Sequence, residues 1–224
     1  MWPFTSKKRA AGSEAGKLEA GVHRSPGLGE LSGVVRDEKV QAVLDLGASS
    51  TENIEALAGW CDDFVVQDCF RSAGSAEGER TAAFRFGSGS EIDLPEPDQL
   101  FDIVLLWDLL HYFDREEARA FASRLAERTV PGGLLLAHAS AVTPIPPTPI
   151  QFKIVESDRL EYVCGEARVA APEMTTRAIE QLMQSFKPLR VLQLRNGLQE
   201  LIFQRKESAP SAAGAASPAE PADS

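Results

Sequence analysis

An acid and a glycine follow the first strongly apolar run of the chain, in the sequence VLDLG at residues 43–47. Gly47 allows the backbone to approach a ligand without an intervening Cβ, and the free N–H groups of a following helix favour an anionic group such as a carboxylate. A second acid, Asp68, lies about 20 residues beyond Asp45, which is close to the offset at which an acid meets ribose hydroxyls. Together these residues predict a cofactor site of the nucleotide type.

Three further candidates, Trp107, Asp108 and His111, follow another apolar run. An aromatic side chain at the mouth of a strand is a platform for a planar or cationic ligand, although Trp107 is also compatible with a place in the core. His111 is a candidate to accept a proton, with Asp108 either orienting it or acting as the base itself. The alternative is that His111 belongs to a helix and packs beside Tyr112 and Phe113.

Ser49 lies in the same turn as Gly47 and has two interpretations. In the first, its hydroxyl replaces with a hydrogen bond the contact that a closer backbone would make to a ligand. In the second, Ser49 is the N-cap of the following helix and Glu52 completes a capping box. The second interpretation is sufficient to explain the residue, and both are compatible with one structure.

Short apolar runs bounded by turn residues predict strands that alternate with helical patterns. The expected strands cover residues 43–46, 64–66, 82–86, 103–106 and 134–137. Alternation of this kind indicates an α/β protein whose sheet is mostly parallel, with helices on both faces. Ligands of such sheets bind beyond the carboxyl ends of the strands, where the candidate residues follow.

Two helices are indicated by apolar residues at helical spacing. The first covers residues 114–129, with Asp114 as N-cap and Glu117 as its capping-box partner, and the sequence PGG at residues 131–133 is expected to end it and start the next strand. The second has apolar residues from 179 to 186, and Pro188 is expected to end it.

The C-terminal part of the domain has the pattern of a hairpin. Extended runs at 190–194 and 198–205 are separated by Arg195-Asn196-Gly197, and Asn-Gly between such runs predicts a tight turn and an antiparallel final strand. Residues 141–165 contain four prolines and two short extended pieces. We expect this segment to be an insertion or lid over the strand ends.

Composition sets the limits of the domain and of its partners. Residues 1–30 and 207–224 lack apolar periodicity, so a disordered leader and a disordered Ala/Pro/Ser-rich tail are expected around a folded domain at 31–206. The net charge of −10 argues against nucleic acid and anionic membranes as main partners. Three cysteines without metal-ligand spacing indicate neither a disulfide framework nor a metal site, and a cytoplasmic location fits them best.

In these features the chain resembles the class I S-adenosylmethionine-dependent methyltransferases. The likeness covers most of residues 43–205: VLDLG at 43–47 is similar to the first family motif, and Asp68 to the acid that meets ribose. DLP at 93–95 with FDIV at 101–104 resembles the central stretch of the family, LLHYF at 109–113 the segment after it, and PGGLL at 131–135 the opening of the fifth strand.

The resemblance implies a Rossmann-like methyltransferase fold with S-adenosylmethionine as cofactor. It places the cofactor against Asp45, Gly47, Ser49, Asp68 and Trp107. It also implies direct methyl transfer to a small-molecule or protein acceptor that the sequence does not identify, with Asp108 and His111 as the residues available for acid–base work. Such a transfer depends mainly on holding the nucleophile close to the methyl group.

Two departures from the family pattern keep a second hypothesis open. Ser49 and Thr51 stand where the family has its second and third glycines, and the position expected to meet the adenine amino group falls near Ser90 or Glu91. The alternative is therefore a catalytically inactive methyltransferase-like module with a binding or regulatory role. A nicotinamide dinucleotide is disfavoured because the sequence GxGxxG is missing.

Overall fold

The computed structural model describes residues 18–69, 86, 92–140, 144–170 and 174–207. The strands of this part, in chain order, are β1 (Gly21–Arg24), β2 (Ala42–Asp45), β3 (Asp63–Val66), β4 (Phe101–Trp107), β5 (Thr129–Ser140), β6 (Gln151–Glu156), β7 (Arg159–Val163), β8 (Phe186–Gln193) and β9 (Leu198–Arg205). The α-helices are α1 (Pro26–Asp37), α2 (Thr51–Ala58), α3 (Arg115–Glu127) and α4 (Thr176–Leu182), and a short 3-10 helix spans Leu109–Tyr112.

A six-stranded sheet in the order β3-β2-β4-β5-β9-β8 forms the centre of the domain. Strands β3, β2, β4 and β5 are parallel, β9 is antiparallel to β5, and β8 closes the sheet as a hairpin with β9. The mostly parallel sheet and the C-terminal antiparallel hairpin confirm the sequence-based expectation. The predicted strand at 82–86 lies outside the described residues except for Phe86.

Apolar layers cover both faces of this sheet, as a parallel sheet requires. One face packs against α3 and α4 through residues such as Phe121 and Leu182. The other packs against α1, α2 and a second, three-stranded antiparallel sheet in the order β1-β7-β6. The segment predicted as an insertion supplies β6 and β7, which correspond to the two short extended pieces expected within it.

The prediction of a disordered leader is wrong for residues 18–30. Residues 21–24 form β1, which pairs with β7, and α1 begins at Pro26 after the N-cap Ser25. Leu28 and Leu31 of α1 are buried. Local composition does not reveal this order, because β1 and α1 are held by distant partners. The leader before residue 18 and the tail after residue 207 lie outside the described residues, so their expected disorder stays a prediction.

Two predicted helix ends differ from the structure. The capping box of Asp114 and Glu117 is present in α3, but β5 already begins at Thr129 and includes Gly132 and Gly133. Helix α4 ends at Leu182, and Pro188 lies inside β8 rather than after a helix. Proline is tolerated there because β8 is the edge strand and its pairing has an irregularity next to Pro188. Within the described part of the chain, no helix has the length and apolarity to cross a membrane.

Candidate functional site

The candidate residues meet at the point where the strand order of the central sheet reverses. From β2 the chain moves outward to β3, and it then returns to β4 on the other side of β2. Asp45 ends β2 and Trp107 ends β4, and Asp45 is paired in register with Leu105. A crevice at the carboxyl ends of strands on either side of such a reversal is the usual ligand site of open α/β sheets.

The Asp45 carboxylate is fully buried and accepts three hydrogen bonds. Its Oδ1 accepts from the Gly47 backbone N–H at 2.8 Å and from Trp107 Nε1 at 2.5 Å, and its Oδ2 accepts from Asn53 Nδ2 at 3.0 Å. Burial raises the pKa of Asp45, although these hydrogen bonds partly offset the effect. Asp45 thus holds the turn, the indole and helix α2 together.

The close approach that Gly47 permits is made by the indole of Trp107. A Cβ at position 47 would lie 2.6 Å from Trp107 Nε1, which is shorter than real Cβ contacts, and 3.0 Å from Asp45 Oδ1, which is tighter than most of them. Glycine is therefore required at this position, as the sequence suggested. In this conformation the space beside Gly47 is occupied by the Trp107 side chain rather than by a ligand.

Trp107 enters this space from a strained backbone. Its φ is +54°, and the pairing of β4 with β5 is irregular between Leu105 and Trp107. The ring is fully buried and stacks on Phe152 with centroids 5.1 Å apart and planes 9° apart, and on His138 with centroids 5.6 Å apart. The sequence left two interpretations of Trp107, a ligand platform or a core residue. In the structure it is a core residue, because Phe152 covers the face of its ring.

Asn53 is a buried polar residue of the site that the sequence analysis missed. Its Nδ2 donates to Asp45 Oδ2 at 3.0 Å and to the Phe152 carbonyl at 3.1 Å, and its Oδ1 accepts from the Ile154 backbone N–H at 2.8 Å. This side chain fastens β6 over the turn. The available signal was its position one helical turn before Leu57, because both residues occupy the buried face of α2.

Ser49 and Asp68 form the accessible rim of the site. Ser49 is exposed and Asp68 is half-buried, and the Ser49 backbone N–H donates to Asp68 Oδ2 at 3.4 Å. The N-cap of α2 is Ser50, whose Oγ accepts from the Asn53 N–H at 3.1 Å. The interpretation of Ser49 as N-cap is therefore wrong by one residue, and its hydroxyl is not committed to a capping bond.

Asp108 lies just beyond β4 and is almost fully buried. Its Oδ2 accepts from the Ile150 backbone N–H at 3.1 Å, whereas its Oδ1 has no hydrogen-bond partner among the described residues. Burial raises the pKa of Asp108 to about 7, against the lowering effect of the Ile150 N–H. A buried carboxyl with one uncommitted oxygen and a pKa near neutrality is suited to exchange a proton.

His111 is not arranged as the proton acceptor that the sequence suggested. Its Nε2 accepts a hydrogen bond from the Ser140 backbone N–H at 2.7 Å, so the lone pair of this nitrogen is already used. The hydrogen bond between His111 and Asp108 joins their backbones, from the His111 N–H to the Asp108 carbonyl at 3.2 Å. The alternative, a histidine packed within a short helix, describes the observed residue because it is buried in the 3-10 helix.

Comparison with known proteins identifies the fold that carries this site. No protein-family model matches the chain, and no curated protein matches it. Among solved structures, an S-adenosylmethionine-dependent methyltransferase from Clostridium acetobutylicum is 11% identical, with a TM-score of 0.52 over 80% of this chain and 90% of that chain. This likeness shows that the chain has the Rossmann-like fold of class I methyltransferases, as expected from its motifs.

Two further structures are similar in outline. An amino pentose methyltransferase from Micromonospora echinaspora, solved with S-adenosylmethionine bound, is 11% identical over 81% of this chain and 91% of that chain, with a TM-score of 0.49. A methyltransferase of 1,6-didemethyltoxoflavin from Burkholderia thailandensis, solved with S-adenosylhomocysteine bound, is 16% identical over 81% and 77%, also with a TM-score of 0.49.

Proposed function

We propose that this chain is an S-adenosylmethionine-dependent methyltransferase that transfers the methyl group directly to a small-molecule or protein acceptor. The observation that carries the proposal is the position of the candidate residues in a methyltransferase fold. Asp45 ends β2, and Asp68 and Asp108 follow the adjacent strands β3 and β4, so all three lie at the carboxyl edge of the sheet. That edge is where open α/β sheets bind their ligands.

The residues at the rim fit the ribose end of the cofactor. Asp68 offers a half-buried carboxylate, and carboxylate oxygens accept hydrogen bonds from vicinal hydroxyls. The exposed Ser49 adds a hydroxyl that is not needed as a helix cap. At Gly47 the fit is poor in this conformation, because the Trp107 indole fills the space next to the glycine. When bound, S-adenosylmethionine supplies an electrophilic methyl group on a sulfonium centre.

Asp108 is the residue that we assign to proton transfer. An acceptor hydroxyl loses its proton when its oxygen bonds to the methyl carbon, and a nearby base accelerates that loss. The uncommitted Oδ1 of Asp108 and its pKa of about 7 suit this role at neutral pH. His111 is not assigned to proton transfer, because its Nε2 already accepts the hydrogen bond from the Ser140 N–H. We assign it to positioning the segment after β4.

The geometry at Gly47 also favours a second candidate, a methyltransferase-like module without catalysis. The three hydrogen bonds of Asp45 and the stacking of Trp107 on Phe152 resemble the interior of a stable core. A chain in which this core never opens would keep the fold and use another surface for binding. The two candidates differ in whether the cofactor binds at all.

Calorimetric titration with S-adenosylmethionine and S-adenosylhomocysteine separates the two candidates. The wild type is compared with Asp68→Asn, and Asp62→Asn serves as the matched control, because Asp62 is an exposed acid at the opposite end of β3. The methyltransferase is supported if both ligands bind and Asp68→Asn alone weakens binding by about tenfold or more. Absence of binding heat for both ligands at millimolar concentration would reject the enzyme and leave the inactive module.

A further inference from the structure

We infer that the Trp107 indole and the amino-acid end of the cofactor compete for the same space over Gly47, so that Trp107 acts as an internal plug of the site. This inference rests on the proposed function. A Cβ at Gly47 would lie 2.6 Å from Nε1 and 2.9 Å from Cδ1 of Trp107. Any ligand that approaches the Gly47 backbone from this side must first displace the indole.

The polar groups around Gly47 suit the ligand that the plug would exclude. With the indole in place, Asp45 Oδ1 accepts from Trp107 Nε1 and from the Gly47 N–H. Displacement of the ring would free one acceptor position on Asp45 Oδ1. An ammonium group donates to a buried carboxylate more strongly than an indole N–H does. The group that would replace the indole is therefore an ammonium group, such as that of the methionine end of the cofactor.

One backbone feature distinguishes Trp107 from the other buried residues of the core. Trp107 is the one non-glycine residue with positive φ in the described part of the chain, and strained backbones of this kind concentrate at switches and ligand clamps. Its ring also lies against His138, whose Nε2 is 3.4 Å from a Glu200 carboxylate oxygen, so the contact between the two rings is one of stacking. Displacement of the indole would therefore cost one hydrogen bond, that to Asp45 Oδ1, together with the stacking contacts of the ring.

Strand β6 of the second sheet covers the Trp107 indole. Phe152 of β6 stacks on the indole, and Asn53 of α2 fastens this strand through the Phe152 carbonyl and the Ile154 N–H. Movement of Trp107 therefore depends on the contact between β6 and α2. In this arrangement only molecules with a displaced indole can bind the cofactor. The apparent affinity of the wild type is therefore reduced in proportion to the fraction of molecules that are open.

Binding to plug variants tests the competition. Trp107→Phe and Trp107→Leu remove the indole N–H and part of the ring volume, and circular dichroism verifies that each variant is folded. We expect S-adenosylhomocysteine to bind these variants at least about tenfold more tightly than the wild type, because less of the plug must be displaced. Adenosine lacks the amino-acid end, so its affinity is expected to stay within about twofold. Trp60→Phe is the control for an aromatic substitution elsewhere.

The outcomes separate the inference from the proposed function. Equal or weaker binding of S-adenosylhomocysteine by the variants, with clear binding by the wild type, overturns the plug and leaves the methyltransferase standing. If no protein binds either ligand, the proposed function fails and the plug fails with it. Tighter binding of both ligands by the same factor would also overturn the inference, since the effect would then not depend on the space over Gly47.

A fluorescence measurement covers the case in which the plug variants do not fold. In a Trp2→Phe/Trp60→Phe protein the only remaining tryptophan is Trp107. We expect S-adenosylhomocysteine to shift its emission to longer wavelength as the ring leaves its buried position, and adenosine to leave the emission unchanged. Binding of S-adenosylhomocysteine without a change in emission would overturn the plug.

Discussion

The Glu200 carboxylate accepts a hydrogen bond from the Gly27 backbone N–H at 2.6 Å, and this contact ties the first helix to the last strand. Glu200 is fully buried, also accepts from Ser25 Oγ at 2.5 Å, and lies 3.4 Å from His138 Nε2. Burial alone would raise the pKa of Glu200, but His138, Ser25 and Gly27 outweigh it, so the pKa is lowered. The carboxylate is thus ionised and completes the N-terminus of α1.

Substitution Glu200→Gln is expected to destabilise the protein because it removes the charge from these hydrogen bonds. The expected loss in the free energy of unfolding is roughly 2–3 kcal/mol. Denaturant unfolding measures it, with Glu156→Gln as control. Glu156 is exposed and lies 3.5 Å from Arg159, so its substitution should change the free energy by less than about 0.5 kcal/mol. Equal effects of the two substitutions would contradict the role of Glu200.

Substitution Gly47→Ala is expected to disturb the packing of the Trp107 indole. The added methyl group would lie 2.6 Å from Nε1, so the ring must shift, and overpacking of this kind costs about 1–3 kcal/mol. Thermal or denaturant unfolding measures the loss. Gly165→Ala is the matched control, because a Cβ there meets nothing within 4 Å, and its effect should stay within about 0.5 kcal/mol. A neutral Gly47→Ala would show that the indole does not hold this position.

Asp108 is expected to make stability fall as the pH rises. Its pKa in the folded protein is about 7, above the ordinary value of 3.8, so the folded state retains the proton in a range where the unfolded state has lost it. The corresponding contribution to stability is fully present below about pH 4 and is lost as the pH rises through 7. Between pH 6 and pH 8 the wild type should lose roughly 1.4 kcal/mol relative to Asp108→Asn.

Denaturant unfolding of both proteins at the two pH values measures this difference. Asn keeps an oxygen for the Ile150 N–H and does not titrate, so it is the appropriate reference for Asp108. Other groups titrate equally in both proteins and cancel from the comparison. A difference between wild type and Asp108→Asn that is independent of pH would mean that the pKa of Asp108 is not raised.

Substitution Asp114→Ala is expected to weaken the start of α3. The Asp114 carboxylate accepts from the Glu116 and Glu117 N–H groups, both at 2.9 Å, and Ala cannot satisfy them. The free energy of unfolding should fall by about 1 kcal/mol. Arg119→Ala, at an exposed position in the same helix, should change it by less than about 0.5 kcal/mol. If both substitutions have the same effect, the capping box does not contribute as described.

The parts of the fold that were predicted correctly depend on neighbours in sequence. Alternation of apolar runs and turns located β2, β3, β4 and β5, and Asn196-Gly197 located the hairpin of β8 and β9. The capping box at Asp114 involves residues within one helical turn. In contrast, β1 and α1 were missed because Ser25 and Gly27 bind Glu200, which lies 173 residues beyond Gly27.

The sequence by itself determined the fold class, and it identified the edge of the sheet where the candidate residues gather. Periodicity, caps and turns act over a few residues, so their outcome is readable without knowledge of distant contacts. Only the tertiary structure decided what Gly47 and Asp45 contact. Their partner Trp107 lies 62 residues beyond Asp45 and is brought to them by the pairing of β2 with β4 and by its own positive φ. Such an approach depends on distances of tenths of an ångström between separate strands, which residue patterns do not specify.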